Sequence, residues 1–212
     1  MNYRYIVVEG PIGSMKTELA EKLAFFFNGL CFREDVNKNP FLFSFLQQPS
    51  SLALATQLHF LLDRYRILQE IEEKYIHSEV IILSDFLLEK DRIFAPATLT
   101  AEELELYWRL RLKLVPSVLR PNLIILLEAS LETLYANLSK RNAQIELYPE
   151  HFLEEILKGY QHFFYIHDEI PQLIANTDEL DFLNNTEHFN LLIKTMKKLQ
   201  GKTNYINLDE SL

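Results

Sequence analysis

The segment Gly10-Pro11-Ile12-Gly13-Ser14-Met15-Lys16-Thr17 has the residue types of a polyphosphate cradle. It matches G-x-x-x-x-G-K-[ST] at Gly10, Lys16 and Thr17, with Met15 where the last glycine is expected. Backbone N–H groups of such a loop, together with a helix amino terminus, can hold phosphate oxygens. Lys16 adds a point charge toward the outer phosphates, and the Thr17 hydroxyl can ligate magnesium. A non-glycine residue held at positive φ costs about 1 to 2 kcal/mol, so Met15 is expected to weaken nucleotide binding. Its unbranched side chain can turn outward, so binding is expected to be weakened rather than abolished.

A cradle of this kind works only where a buried strand runs into the loop and a helix leaves it. Tyr3 to Val8 is a short, β-branched apolar run, and Leu19, Ala20, Leu23, Ala24 and Phe27 recur at helical spacing after Thr17. Asn28-Gly29 ends that helix, and Leu30 to Arg33 reads as a second strand leading into Glu34. Ser50 to Tyr75 reads as a long helix, and Val80 to Leu83 as a third strand ending in Ser84-Asp85. Thr100 and Glu103 form a capping box for a helix through Leu114, and Leu123 to Leu127 is a buried-strand pattern after Pro121. Ser130 caps the next helix, Lys140 to Pro149 is a polar interruption, and a helix then runs to about His167. Leu173 to Ala175 supplies a fifth strand before a last helix, Glu187 to Leu199. Strands alternating with helices imply an α/β fold: a parallel five-stranded sheet flanked by helices.

The composition narrows what such a site can serve. The chain has 212 residues, a formal net charge of −9, one Cys and five Gly. This suits a single domain over 1–200 with a polar tail over 201–212. Lone Cys31 cannot form a disulfide within the chain, Met1 to Gly10 is too short for a signal peptide, and no apolar run approaches the ~20 residues of a membrane span. The expectation is a cytoplasmic protein without membrane contact. The negative charge argues against a nucleic-acid polymer, so a phosphate-bearing ligand must meet locally concentrated positive charge.

Four further segments carry a resemblance. Glu34-Asp35-Val36 with Asn39-Pro40-Phe41-Leu42, Gln57 with Arg64-Tyr65-Arg66, Ser84-Asp85 through Lys90-Asp91-Arg92-Ile93-Phe94, and Asp178 to Phe182 follow Tyr5 to Gly13 in order and spacing. Taken together they make the chain resemble the deoxynucleoside kinase family, especially the bacterial deoxyadenosine and deoxyguanosine kinases, from about Tyr5 to Phe182. The resemblance implies a P-loop kinase fold with a small lid at about 137–149. It also implies transfer of the ATP γ-phosphoryl group to a deoxynucleoside 5′-hydroxyl, purine preferred, in nucleotide salvage, with Mg²⁺ as cofactor and a homodimer as assembly. By the same resemblance, Glu34 is the general base, Gln57 and Arg64 read the nucleobase, and Asp91 works with Arg64. Asp85 joins Thr17 at the metal, Arg141 is a lid cation, Glu146 binds the sugar 3′-hydroxyl, and Asp181-Phe182 contacts the adenine of ATP.

The chain departs from the family pattern at defined points. Besides Met15, Leu46 stands where a tyrosine partners the sugar-binding glutamate. Asn137 and Ala143 stand where relatives carry lid arginines, and Phe86 stands where many relatives have arginine. A lid arginine can be worth about 10³ to 10⁵ in rate. These losses motivate an alternative reading, a catalytically weak homologue acting as a nucleotide-binding or partner-binding module. A phosphotransferase for a monophosphate acceptor is a third reading, disfavoured by the set Gln57, Arg64 and Asp91.

Overall fold

The computed structural model describes residues 3–48, 51–117, 119–141 and 147–206. Its centre is β1, Tyr5–Glu9, every residue of which is buried. β1 lies between β3, Ile82–Ser84, and β4, Leu123–Glu128, in parallel with both. Outward from β3 comes β2, Leu30–Phe32, and outward from β4 come β5, Gln172–Asn176, and β6, Thr203–Ile206, giving the order β2-β3-β1-β4-β5-β6. The strands alternate with helices in sequence, and each parallel connection must cross over one face of the sheet, which is what the helices do.

Side chains of β1 alternate between two cores. Tyr5 and Val7 join one cluster and Ile6 and Val8 the other. The second cluster is closed by α1, Lys16–Phe27, and α8, Thr186–Lys198, through residues such as Leu19, Leu23, Phe189 and Leu192. The first is closed by α3, Ala53–Lys74, α4, Asp91–Thr98, α5, Ala101–Leu114, and α7, Glu150–Ile166. Two further helices are α2, Leu42–Gln47, and α6, Leu131–Lys140. The ends of β1, β2 and β3 release Gly10, Glu34 and Asp85 on one edge. A crevice at the carboxyl ends of parallel strands, where the strand order reverses, is where such sheets bind ligands.

Several sequence expectations shift. The sheet has six strands rather than five. The sixth falls in the segment read as a polar tail, where Gln172 N donates to the Lys202 carbonyl at 2.6 Å and Ile206 inserts into the second core. Only Ile206 of that strand is buried, so its apolar periodicity is too weak to reveal it, while pairing covers the otherwise open edge of β5. The long helix begins at Ala53 instead of Ser50 because Leu52 takes φ 63°, outside helical geometry. The first strand runs to Glu9, one residue beyond Val8. α2 and α4 had no clear periodic signal. α4 also contains Pro96, which sequence rules place at breaks. The Thr100–Glu103 capping box forms, and Ser130 Oγ accepts from Thr133 N at 3.3 Å. No described helix is long and apolar enough to cross a membrane.

Candidate active site

The phosphate loop spans the gap between β1 and α1. Gly13 takes φ +89°, and a Cβ there would meet the Leu134 carbonyl at 2.8 Å, so this glycine is required by both conformation and space. Met15 also takes a left-handed conformation, φ 61°, as the missing glycine predicts. It is the N-cap of α1 and provides no side-chain cap. Pro11, Ile12 and Ser14 complete the turn, closed by Ser14 N donating to the Pro11 carbonyl at 3.2 Å. Lys16 Nζ folds back to 3.4 Å from the same carbonyl. Burial, reinforced by the ammonium of Lys90, lowers the Lys16 pKa to about 8.

Beside the loop is a cavity of about 310 Å³ whose wall includes Lys16, Thr17, Glu34, Gln57, Arg64 and Asp85. Its centre of charge is Glu34. One carboxylate oxygen accepts from Arg64 Nε, and the other accepts from Lys90 Nζ at 3.2 Å. Burial pushes this carboxyl upward, but Arg64 and Lys90 outweigh it and bring the pKa down to about 2. Lys90 is held above its ordinary value for the same reason, because Glu34 and Glu9 outweigh its burial. Asp85 sits where β3 ends. Its Oδ2 accepts from the Thr17 hydroxyl at 2.5 Å and its Oδ1 from Glu34 N at 2.7 Å, while burial raises its pKa. Gln57 Nε2 donates to Thr98 Oγ1 at 3.1 Å.

On the other side of the loop lies a pocket of about 330 Å³, walled by Ser14, Met15, Asn137, Lys140, Asp181 and Phe182, among others. The Phe182 ring is packed in the second core, and its carbonyl accepts from Lys22 Nζ at 2.9 Å. The Asp181 carboxylate accepts from Leu183 N at 3.0 Å and Asn184 N at 2.9 Å, closing a tight turn. Asp181 therefore shapes the loop, and backbone groups are what this wall can offer a ligand. Asn137 turns its amide onto the loop, donating to the Gly13 carbonyl at 3.0 Å, and so braces the cradle.

Two expectations need correction or restriction. Asp91 does not pair with Arg64 and does not line the cavity: it is fully buried, ion-paired with Arg111, and accepts from the Tyr107 hydroxyl at 3.3 Å. Arg64 is ion-paired with Glu34 instead, and the Asp91 carboxylate acts on its guanidinium only at longer range, helping to hold the Arg64 pKa up. Glu146 and Ala143 lie outside the described residues. Arg141 lines the cavity and is ion-paired with Glu18 of α1. Phe86 is buried in the first core and can supply no charge.

The structure adds residues that the sequence reading did not single out. Lys90, 5% exposed, lies 4.0 Å from Glu9 and so links the base of the phosphate loop to Glu34. Glu9 itself accepts from Gly10 N at 2.9 Å, Leu87 N at 3.0 Å and the Tyr160 hydroxyl at 2.9 Å. A carboxylate ending an apolar strand was the available signal for Glu9. Lys90 offered none beyond its place beside Asp91.

The family model described as deoxynucleoside kinase matches residues 6–200. The chain belongs to the deoxynucleoside kinase family. This kinase is 30% identical over 200 residues to a deoxyguanosine kinase of Bacillus subtilis (strain 168), covering 92% of this chain and 97% of the relative. It is 29% identical over 195 residues to a deoxyadenosine kinase of Lactobacillus acidophilus, covering 85% and 88%. A deoxyadenosine kinase from M. mycoides, solved with bound dCTP, has the same fold, with TM-score 0.79 at 19% identity over 92% of this chain and 100% of its own. The kinase is accordingly a phosphotransferase taking a nucleoside and a nucleotide phosphate donor, which matches the two recesses on either side of its phosphate loop.

Proposed function

We propose that this kinase transfers the γ-phosphoryl group of ATP to the 5′-hydroxyl of a deoxynucleoside, purines preferred, as a cytoplasmic homodimer serving nucleotide salvage. The observation that carries this reading is Glu34, a half-buried carboxylate fixed by Arg64 and Lys90 in the wall that also holds Lys16 and Thr17. The names of the curated relatives support a purine deoxynucleoside as acceptor. The dimer and the cytoplasmic location are part of the proposal, carried over from the family resemblance.

In this reading the cavity wall of Gln57 and Arg64 holds the base, and Glu34 faces the sugar hydroxyl. A carboxyl with a pKa near 2 is a weak base, so Glu34 first acts as an acceptor that orients the hydroxyl. It takes the proton late, when the new oxygen–phosphorus bond is forming and the bond to the departing nucleoside diphosphate is breaking. That timing suits phosphoryl transfer, whose loose transition state asks for positioning and charge stabilisation more than for a strong base. Lys16, the loop amides and Arg141 hold the phosphates. Asp181 and Phe182 shape the adenine wall.

Thr17 Oγ1 and the Asp85 carboxylate, 2.5 Å apart, form an all-oxygen pair of the kind magnesium takes. The ion, when bound, would neutralise charge on the phosphate oxygens. Asp85 contributes its carboxylate and at the same time fixes Glu34 through the Glu34 N–H.

The test is turnover of ATP with each of the four deoxynucleosides, beside Lys16→Ala and Glu34→Gln. The reading expects phosphorylation of at least one purine deoxynucleoside and its near loss in both variants. Binding of ATP without turnover on any acceptor would overturn it in favour of a nucleotide-binding module.

A further inference from the structure

We infer that Thr98 is a specificity-determining residue: its hydroxyl fixes the orientation of the Gln57 carboxamide, and with it the purine substituent at position 6 that the cavity accepts. The inference rests on the proposed reading that Gln57 faces the base, and deepens it.

A threonine hydroxyl has a single hydrogen to donate and lone pairs to accept with. Thr98 Oγ1 lies 2.7 Å from the Phe94 carbonyl one turn earlier in α4, and a carbonyl can only accept. The hydroxyl proton is therefore committed to Phe94, and toward Gln57 the same oxygen can act only as an acceptor. Gln57 lies 3.1 Å away, so the end of the amide that faces Thr98 must be the NH₂ group. Turned over, the amide would set Oε1 against an oxygen with no proton left, losing one hydrogen bond and adding a lone-pair repulsion. The orientation of an amide, ordinarily a matter of inference from its neighbours, is settled here by a chain of donors.

The consequence reaches the cavity. Gln57 is 4% exposed and, with Thr98 and Phe94, lines the wall of the acceptor cavity. Its Oε1 accepts from no donor among the described residues, and Nε2 keeps a second N–H. The side chain thus presents an acceptor and a donor in an order that cannot be exchanged. Adenine and guanine present opposite orders at the matching edge: a 6-amino donor beside a ring acceptor in one, a 6-oxo acceptor beside a ring N–H in the other. A free amide can rotate to suit either base. An amide locked by Thr98 pairs in register with only one, and the other leaves buried polar groups opposed.

The test compares kcat/KM for deoxyadenosine and deoxyguanosine in the wild type and in Thr98→Val, Thr98→Ser and Gln57→Leu. The wild type should favour one purine. Thr98→Val, which keeps the shape and removes the hydroxyl, should shrink that preference about tenfold, as expected for one net hydrogen bond no longer enforced. Thr98→Ser should keep it, because the hydroxyl is restored. Thr98→Ala gives the same readout as Thr98→Val should the valine variant fail to fold. A wild type that treats both purines alike overturns the inference, as does a Thr98→Val and Thr98→Ala pair that keeps the wild-type ratio while Gln57→Leu loses it. If Gln57→Leu itself leaves the ratio unchanged, the base-reading role of Gln57 is what fails.

Discussion

The two recesses flanking the phosphate loop are built on different physics. The recess proposed to take the acceptor is a lattice of largely buried charge, in which Glu34, Arg64, Lys90 and Asp85 hold one another and Asp91 with Arg111 stands behind them. The recess proposed to take the donor is shaped by a tight turn at Asp181, a packed Phe182 and the ammonium of Lys22 on two backbone carbonyls, those of Phe182 and Leu183, each at 2.9 Å. A buried charge whose partner is removed is left uncompensated at several kcal/mol, whereas a turn that loses one side-chain contact relaxes into solvent. The acceptor side is therefore rigid and intolerant, and the donor side tolerant in sequence so long as its backbone path survives.

Substitutions can break this contrast if it is wrong. The largest effect is expected from Glu34→Gln, which should lower kcat for the deoxynucleoside about 10³-fold while KM moves by less than tenfold. Steady-state kinetics that place the loss in KM instead would remove Glu34 from the reacting centre. Lys90→Met leaves Glu34 with one partner and Glu9 with none of its cationic support, so urea unfolding should show a loss of about 3 kcal/mol or more, largely restored by Lys90→Arg.

The pH dependence of stability sharpens the same point. The Glu34 carboxyl has a folded pKa near 2, below an unfolded value of about 4.3. Its contribution is thus complete above the unfolded value and is lost as pH falls toward 2. Thermal melts should show a decline between about pH 4.5 and pH 2 that is shallower in Glu34→Gln. Met15→Gly exchanges a strained left-handed methionine for a residue at ease there, and should raise stability by up to about 1 kcal/mol, read as a higher Tm. The smallest effect is expected on the donor side. Asp181→Ala should change KM for ATP by only about threefold and leave KM for the deoxynucleoside where it was, because neighbouring backbone contacts keep the turn.

The frame of the molecule was legible because its signals are local. A buried strand, a glycine turn and a helix occupy adjacent residues, and the capping residues Thr100 and Ser130 do in the structure what their positions announce. Glu34, Lys16, Thr17 and Asp85 meet because strand ends converge on one edge, a consequence of topology that the strand order carries. The pairings between elements were not legible. Asp91 takes Arg111 twenty residues along, and Arg64 takes Glu34 thirty residues back. Which of several charges wins a buried partner depends on side-chain reach across packed helices, and nothing in the linear pattern encodes it. Lys90 escaped for the same reason, and β6 because a short edge strand with one buried residue has almost no period to detect.

Helix α1 opens on Met15 with no side-chain cap, and its first backbone hydrogen bond from within the turn is Leu19 N to the Met15 carbonyl. The amides ahead of Leu19 have no partner inside the helix, as at every helix start, and among the described residues no serine, threonine or aspartate side chain supplies one. Under the proposed reading that cap is delivered by the phosphates of the donor. The element is then unfinished until a nucleotide arrives, and completing it stabilises the folded state by mass action. Melting temperature and the hydrogen exchange of the α1 first turn become direct gauges of donor choice: a triphosphate that fits should protect those amides, and one that does not should leave them exchanging as in the empty protein.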